Sequence, residues 1–332
     1  MKAMATFLVT GGAGFIGSHI VEQLLSLGHN VRVVDNFSTG RRENLQSFIK
    51  DIELIEGDIR DIDFLHSNFR GVDYVLHQAA LPSVQRSISD PLTTHEVNAT
   101  GTLNVLIAAR DTGVKRVVYA SSSSVYGDTE ELPKHEEMKP NPKSPYAVAK
   151  LVGEYYCQVF SRVYGLEVVV LRYFNVFGPR QNPDSPYAAV IPRFLRALRN
   201  DEPLVIYGDG EQSRDFTPVE NVVRANIAAC YVPLNDEFAR STGSRKEGEH
   251  NSSGISFLLA NVGTGERRTL NELVRELCRL FDKQIEPVYV PPRPSDIKHS
   301  LASIEILKKR LGLQQLISFT EALTNLVNAG IG

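Results

Sequence analysis

Tyr146 and Lys150 stand four residues apart at the start of a segment with helical periodicity, so their side chains share one face. A free phenol has a pKa of about 10 and is a poor base at neutral pH. A neighbouring ammonium and a positively charged redox ring would both favour the phenolate and lower that pKa. Just upstream, Ser121, Ser122, Ser123 and Ser124 run into Val125-Tyr126 at the end of an apolar stretch. Hydroxyls delivered beside a phenol–ammonium pair suit removal of a proton from a substrate alcohol while hydride leaves the same carbon.

A ring to receive that hydride needs a berth, and the N-terminal residues supply the pattern for one. Thr10-Gly11-Gly12-Ala13-Gly14-Phe15-Ile16-Gly17-Ser18-His19 spaces glycines as G-x-x-G-x-x-G between a strand-like and a helix-like run. Positions without Cβ permit a tight turn, let backbone N–H groups approach a pyrophosphate, and allow close helix–strand packing. Asp35 closes the next strand-like run, where a carboxylate accepts hydrogen bonds from ribose hydroxyls and repels a 2′-phosphate. Arg41 and Arg42 follow too late to reverse that preference, so the pattern specifies NAD rather than NADP. Asp58-Ile59 and Ala79-Ala80-Leu81 end later strands; each is equally compatible with cofactor contact and with ordinary loop chemistry.

The elements that position these residues follow one rhythm. Short β-branched runs at 6–10, 30–35, 52–56, 74–78, 116–121 and 167–173 alternate with helical periods at 18–27, 61–68, 91–112 and 146–164. Continuous apolar strands between helices imply a parallel sheet covered on both faces, a doubly wound α/β fold of Rossmann type. After Gly178 the rhythm loosens into a smaller C-terminal α/β unit. Helices are expected at 188–199, 219–229 and 271–281, extended chain at 203–207 and 285–290, and a turn at 208–210. The reading divides the chain into 1–177 and 178–332, with segments around 215–235 and 256–264 returning to the first unit. Residues 235–254, rich in Ser, Gly, Glu and Arg without apolar period, read as a mobile surface insertion.

Bulk properties narrow the class. With 332 residues and 42% hydrophobic content the chain is long enough for about two domains and a full core. A formal net charge of −3 gives no long-range pull towards nucleic acid or an anionic membrane, so any phosphate binding must be local. Cys157, Cys230 and Cys278 are scattered without C-x-x-C spacing, which reads as buried thiols in a reducing compartment rather than metal ligands. No signal peptide pattern or apolar run of membrane-spanning length is evident, leaving the cytoplasm as the default location.

Over nearly its whole length the chain resembles the extended short-chain dehydrogenase/reductase family. The matching marks are the glycine turn, Asp35, Asp58-Ile59, the serine strand, Tyr146-x-x-x-Lys150, Leu171-Arg172-Tyr173-Phe174-Asn175 and Ser213-Arg214-Asp215-Phe216. It is most similar to the UDP-hexose 4-epimerases, above all those acting on N-acetylated UDP-sugars, through Ser83-Val84-Gln85-Arg86-Ser87, Tyr187 to Pro192 and His299-Ser300-Leu301-Ala302. The resemblance implies Tyr146 as base, Lys150 on the nicotinamide ribose and Ser122 bonding the reacting sugar oxygen. It extends the NAD contacts to Phe15, Ile16, Asn36, Asp58, Ile59, Ala79, Ala80, Asn98 and Phe174. Ser83, Ser87, Ser123 and Ser124 become sugar contacts, and Asn175, Ala189, Val190 and Tyr207 nucleotide contacts. Arg214 and Arg293 would grip the diphosphate, whose geometry a planar guanidinium fork matches; Asp296 would bind a ribose hydroxyl. Ser300 stands where galactose-type relatives carry tyrosine, leaving room for a 2-acetamido group. The departures are Arg293-Pro294-Ser295-Asp296, where Glu-Gly is commoner between the Arg and the Asp, and the long 235–254 insertion. A homodimer through the 91–112 and 146–164 helices is implied as well. UDP-glucuronate 4-epimerisation stays open because Arg86 can meet a substrate carboxylate, and so does a dinucleotide-binding regulator without catalysis. A 4,6-dehydratase is disfavoured, since Ser123 and Ser124 stand where elimination needs an acid pair.

Overall fold

The structure is a computed structural model that describes residues 4–183, 188–234, 256–292 and 297–330. In chain order its strands are β1 (Thr6–Thr10), β2 (Asn30–Asp35), β3 (Ile52–Glu56), β4 (Tyr74–His77), β5 (Arg116–Ser122), β6 (Glu167–Tyr173), β7 (Val176–Phe177), β8 (Val205–Tyr207), β9 (Ser213–Arg214), β10 (Thr217–Pro218), β11 (Phe257–Val262), β12 (Arg268–Thr269) and β13 (Val288–Val290). The helices are α1 (Phe15–Ser26), α2 (Ile62–Asn68), α3 (Val84–Ser89), α4 (Pro91–His95), α5 (Gly101–Asp111), α6 (Pro145–Tyr164), α7 (Val190–Arg199), α8 (Val219–Ala229), α9 (Leu270–Phe281), α10 (Glu305–Lys309) and α11 (Phe319–Asn328).

Seven strands pair in the order β11-β6-β5-β4-β1-β2-β3, every pair parallel. Successive strand residues point to opposite faces, so Phe7 and Val9 enter one core with α1 and α8, while Leu8 enters another with α2, α5 and α6. Each large apolar side chain buried this way is worth about 1.5–3 kcal/mol. A third cluster, built on Phe177, Phe194, Leu198, Leu273 and Leu323, gathers α7, α9 and α11 beside the β8–β13 pair. The chain leaves the large sheet after β6 and returns with β11 at its edge, covered by α8 on the first core. No described helix is long and apolar enough to cross a membrane.

The parallel, doubly wound sheet agrees with the sequence reading. The 91–112 span departs from it. It holds α4, a widened π turn over Glu96–Thr100 and then α5 instead of one regular helix. The extra residue per turn carries a cause in its side chains. Asn98 is aimed at Leu81, accepting from its N–H at 2.8 Å and donating to its carbonyl at 3.1 Å, while Gly101 packs so closely on Ile59 that a Cβ would lie 2.6 Å from Cδ1. Cys157 and Cys230 are buried as expected, but Cys278 is only half-buried. The 235–254 insertion, Tyr187, Arg293 and Asp296 lie outside the described residues.

Candidate active site

The strand order reverses between β1 and β4, and the crevice at their carboxyl ends is the place where such sheets bind ligands. Gly11 fills it with no room to spare. Its φ is +68°, and a Cβ would sit 2.7 Å from Ala79 Cα. A Cβ on Gly17 would lie 2.2 Å from the Gly11 carbonyl oxygen, so the helix can press onto the turn only with glycine there. Gly14 begins α1 without a side-chain cap, whereas Ser144 caps α6 and Asp61 caps α2. The first-turn N–H groups of α1 around Phe15 and Ile16 are thus left to an anion from outside, the arrangement a pyrophosphate needs.

Asp35 ends β2 with its carboxylate held by two backbone donors, Ala13 N–H at 2.9 Å and Phe37 N–H at 2.8 Å. Burial pushes its pKa up and those two bonds pull it down. Each oxygen keeps a lone pair for a ribose hydroxyl, and a Cβ on Gly40 would stand 2.8 Å from both oxygens, so the approach is kept open by a missing side chain. Next to it, Asn36 donates to Asp58 at 2.9 Å, and Arg60 bonds the same carboxylate, holding it down to about 2. Asp58 therefore stays ionised at neutral pH beside Asn36, followed by buried Ile59. These residues fit a bound dinucleotide.

On the other side of the switch point, α6 lies along β5. Lys150 is buried and donates to the Ala120 carbonyl at 2.7 Å, its ammonium 5.1 Å from the Tyr119 ring centroid. Tyr146 is 9% exposed, and the Ser122 side chain lies close enough to its phenol to act on its pKa. Against the lowering expected from an ammonium and a redox ring together, burial of the phenol acts in the opposite direction and raises its pKa, with Ser122 opposing the rise. Burial has pushed the pKa of Lys150 down to about 8, so it remains mostly an ammonium at pH 7. The phenol is neutral in this setting and needs a further positive charge to ionise. Ser124 Oγ is buried with no hydrogen-bond partner, a donor and acceptor at the end of the serine strand ready for a ligand.

A polar network beneath the pair was not read from the sequence. Glu154, one turn beyond Lys150, takes a bidentate bond from Arg172 at 2.9 and 2.6 Å and another from the Ser121 hydroxyl. Arg172 lies 4.6 Å from the Tyr126 ring, and Tyr126 donates to Asn261 at 2.7 Å. Under the glycine turn, His77 bridges Thr10 (2.7 Å) and Thr102 (3.0 Å), and burial drops its pKa to about 3. It is thus a neutral strut.

Five of the residues expected at a nucleotide, Asn175, Ala189, Val190, Tyr207 and Arg214, converge on one cleft of about 230 Å³ between the two halves of the chain. α7 opens into it with Ala189 at its cap and no side-chain bond to its first N–H groups. Arg214 adds a cation, braced by the Ser213 and Lys298 carbonyls at 3.0 and 3.3 Å. A helix N-terminus and a guanidinium on one cleft suit a diphosphate. Asp215 next door is wholly buried, accepting from Thr264 N–H (2.8 Å) and hydroxyl (2.7 Å), Gly265 N–H (3.0 Å) and Ala302 N–H (3.2 Å). Arg193 and Gln212 also line the cleft and went unread. Gln212 was findable, since it lies two residues before Arg214 in extended chain and so shares its face.

Other expected contacts sit apart from open surface. Ser87 is buried with its hydroxyl on the Val84 carbonyl at 2.6 Å, and Ser83 caps α3 by accepting from Arg86 N–H at 3.0 Å. Phe174 is fully buried with Val125, Tyr126 and Ala302, and its N–H bonds the Val262 carbonyl. Asn98 is committed to Leu81 and reaches the crevice only through that loop. Ser300 is buried, its N–H on the Ser213 carbonyl at 3.0 Å, next to Arg214.

A Rossmann crevice joined to a Tyr–Lys helix defines a dinucleotide-dependent enzyme, and residues 7–237 match the NAD dependent epimerase/dehydratase family. The chain belongs to that family, and NAD is its cofactor. It is 36% identical over 324 residues to the UDP-glucose 4-epimerase of Mycolicibacterium smegmatis, covering 96% of each chain. Among solved structures it is similar to a UDP-N-acetylglucosamine 4-epimerase from Methanobrevibacter ruminantium in complex with UDP-N-acetylmuramic acid, at 39% identity, TM-score 0.87 and 98% coverage of both chains. It is also similar to the Thermus thermophilus UDP-glucose 4-epimerase in complex with NAD, at 37% identity and TM-score 0.82, covering 97% of this chain and 98% of that one.

Proposed function

We propose that the protein inverts carbon 4 of UDP-hexoses, both plain and N-acetylated, in nucleotide-sugar and galactose metabolism. The observation that carries this reading is the seating of Tyr146 and Lys150 on Ser122 and Ala120 at the edge of the dinucleotide crevice. Bound in the crevice, NAD would supply an acceptor for the hydride of carbon 4, a donor to return it to the opposite face, and the positive charge that the raised phenol needs. Tyr146 takes the proton of the 4-hydroxyl and later gives it back. Ser122 bonds the same oxygen and holds it in line. Lys150 orients the nicotinamide ribose. Arg214 and the α7 N-terminus keep the diphosphate fixed, while the small hydroxyls of Ser123 and Ser124 leave the 4-keto sugar free to turn over between the two hydride transfers. Ser300, small and beside Arg214, supports acceptance of a 2-acetamido group.

In this reading residues 1–177, with segments around 215–235 and 256–264, hold the cofactor, and the remainder holds the sugar nucleotide. A second copy of the chain covers α6, whose Val148, Tyr155, Val159 and Val163 are 45%, 55%, 47% and 66% exposed along one side, with Leu92 of α4 also 69% exposed. Free thiols at all three cysteines support a reducing, cytoplasmic setting.

The test is to incubate the purified protein separately with UDP-glucose, UDP-N-acetylglucosamine and UDP-glucuronate and to separate the products by chromatography. Inversion without added NAD⁺ supports both the reaction and a cofactor retained through turnover. No inversion of any of the three, even with NAD⁺ supplied, overturns the reading.

A further inference from the structure

Ser122 stands at the end of β5, Arg214 in β9 and Ser300 beside it, so the parts of the proposed site belong to separate stretches of chain. Tyr126 closes the short turn Ser123–Tyr126 that follows β5, and it is 1% exposed. Its hydroxyl meets Asn261, near the end of β11, at 2.7 Å. The orientation of that amide is fixed. Nδ2 faces the Lys134 carbonyl at 2.9 Å and the Ser303 carbonyl at 3.3 Å, and only a nitrogen can donate to both. Oδ1 therefore faces the phenol, and the phenol must donate. Burial pushes the Tyr126 pKa up to about 12, so that proton is present throughout the neutral range. From Asn261 the bonds continue outward. Ser303 N–H donates to the Lys134 carbonyl at 2.8 Å, and Lys134 N–H to the Leu301 carbonyl at 2.8 Å. Ala302 N–H reaches the Asp215 carboxylate at 3.2 Å, and Ser300 N–H the Ser213 carbonyl at 3.0 Å, the two residues on either side of Arg214. On the inner side Arg172 lies against the Tyr126 ring and is paired with Glu154 of α6, one turn past Lys150.

We infer that Tyr126 and Asn261 are positioning residues for hydride transfer, their hydrogen bond holding the serine turn at a fixed distance from the 300–303 segment and so from Arg214. This rests on the proposed reaction of UDP-hexoses and adds to it the part that joins the diphosphate anchor to the base. A sugar that must turn over between two hydride transfers is gripped firmly only through its diphosphate. Its carbon 4 is therefore placed by how far the anchor stands from the phenol. An error of about 1 Å in such a placement can cost on the order of 10²-fold in rate. β5 pairs only with β4 and β6, while the 300–303 segment bridges to Lys134, so among the described residues no sheet ladder sets that distance. Tyr126 and Ala302 do share one apolar cluster. Apolar packing is non-directional, however, and a hydrogen bond supplies the missing direction.

The experiment compares NAD-loaded wild-type protein with Tyr126→Phe, Asn261→Leu and the double variant. It reads the saturated inversion rate per bound NAD on the UDP-hexose that the wild type turns over fastest, the UDP dissociation constant by calorimetry, and the slowing caused by deuterium at carbon 4. Each single variant should lose about ten- to a hundredfold in rate per bound NAD, keep the wild-type affinity for UDP, and be slowed by deuterium at least as much as the wild type. The double variant should be little slower than either single one, since the second change finds the bond already gone. A merely structural role would lower the yield of NAD-loaded protein and leave the rate per bound NAD alone. Unchanged rates per bound NAD, a UDP affinity that falls in step with the rate, a smaller isotope effect, or losses that add in the double variant each overturn the positioning role while the reaction stands. A wild-type protein that inverts no UDP-hexose overturns the reaction and this role with it. Tyr126→Phe removes one oxygen and keeps the ring in its cluster, and either single variant decides the matter if the other does not fold.

Discussion

The Lys150 ammonium meets the Ala120 carbonyl at 2.7 Å, and one turn earlier on the same helix Tyr146 meets Ser122, two residues further along the same strand. Four residues of α-helix advance about 6 Å and two residues of strand about 6.6 Å. Helix and strand thus step in register, running antiparallel along each other, and one contact fixes the other. The position of the phenol follows from the packing of α6 on β5 and needs no loop to hold it.

The phenol should therefore be removable without disturbing its surroundings. Tyr146→Phe is expected to lower turnover by about 10²- to 10⁴-fold while UDP affinity and bound NAD, measured by calorimetry and by release on denaturation, stay near wild type. A variant that keeps full turnover removes Tyr146 from the chemistry.

Lys150 makes a prediction about pH. Folding disfavours its charged form, so between about 8 and the ordinary 10.5 the unfolded chain binds more protons than the folded one. Stability owed to this group then rises with pH across that window, and the penalty is fully present below it. Urea titrations of the wild type and Lys150→Met at pH 7.5 and pH 10 should show their difference shifting in favour of the wild type at the higher pH. A difference that does not change with pH contradicts a buried, depressed ammonium.

Gly17→Ala tests the crevice. The added Cβ, 2.2 Å from the Gly11 carbonyl oxygen, has backbone and not a flexible side chain to displace. The expected cost is about 1–3 kcal/mol of stability together with loss of most of the NAD that copurifies with the protein. Wild-type cofactor content in this variant would mean that the turn has slack the distances deny.

The apolar side of α6 is tested by Tyr155→Glu combined with Val159→Glu. Both positions are about half exposed in the single chain, so the substitutions should leave folding intact. Sedimentation velocity is expected to show a dimer for the wild type and a monomer for the double variant. A wild-type protein that sediments as a monomer refutes the self-association.

Much of this was legible in the sequence because the signals were local. β1, β2, β3 and β6 lie where apolar runs place them, and the glycine turn, Asp35 and the Tyr–Lys spacing each depend on a few adjacent residues. The widened turn at Glu96–Thr100 was hidden because its cause, Leu81, is remote in the chain. The Glu154–Arg172 pair was hidden for the same reason: Arg172 sits in an apolar strand and its partner on a helix, with only the fold to join them. The upward shift of Tyr146 also depends on burial, which residue types alone do not report. α11 was a different case. Ser318 caps it by accepting from Glu321 N–H at 3.2 Å, and Phe319, Ala322, Leu323 and Leu326 repeat on one side, so its signal was present and unused.

The Asp215 carboxylate clasps the chain both where it sets out towards β10 and α8 and where it comes back at Thr264 and Gly265 after β11. The two ends of everything in between are thereby stapled to a single side chain. Doubling the length of a flexible connection with fixed ends costs only about 0.6 kcal/mol. The chain between β10 and β11 is accordingly closed into a loop whose two feet stay together beside the nucleotide cleft, so what happens along it need not reach the chemistry next door.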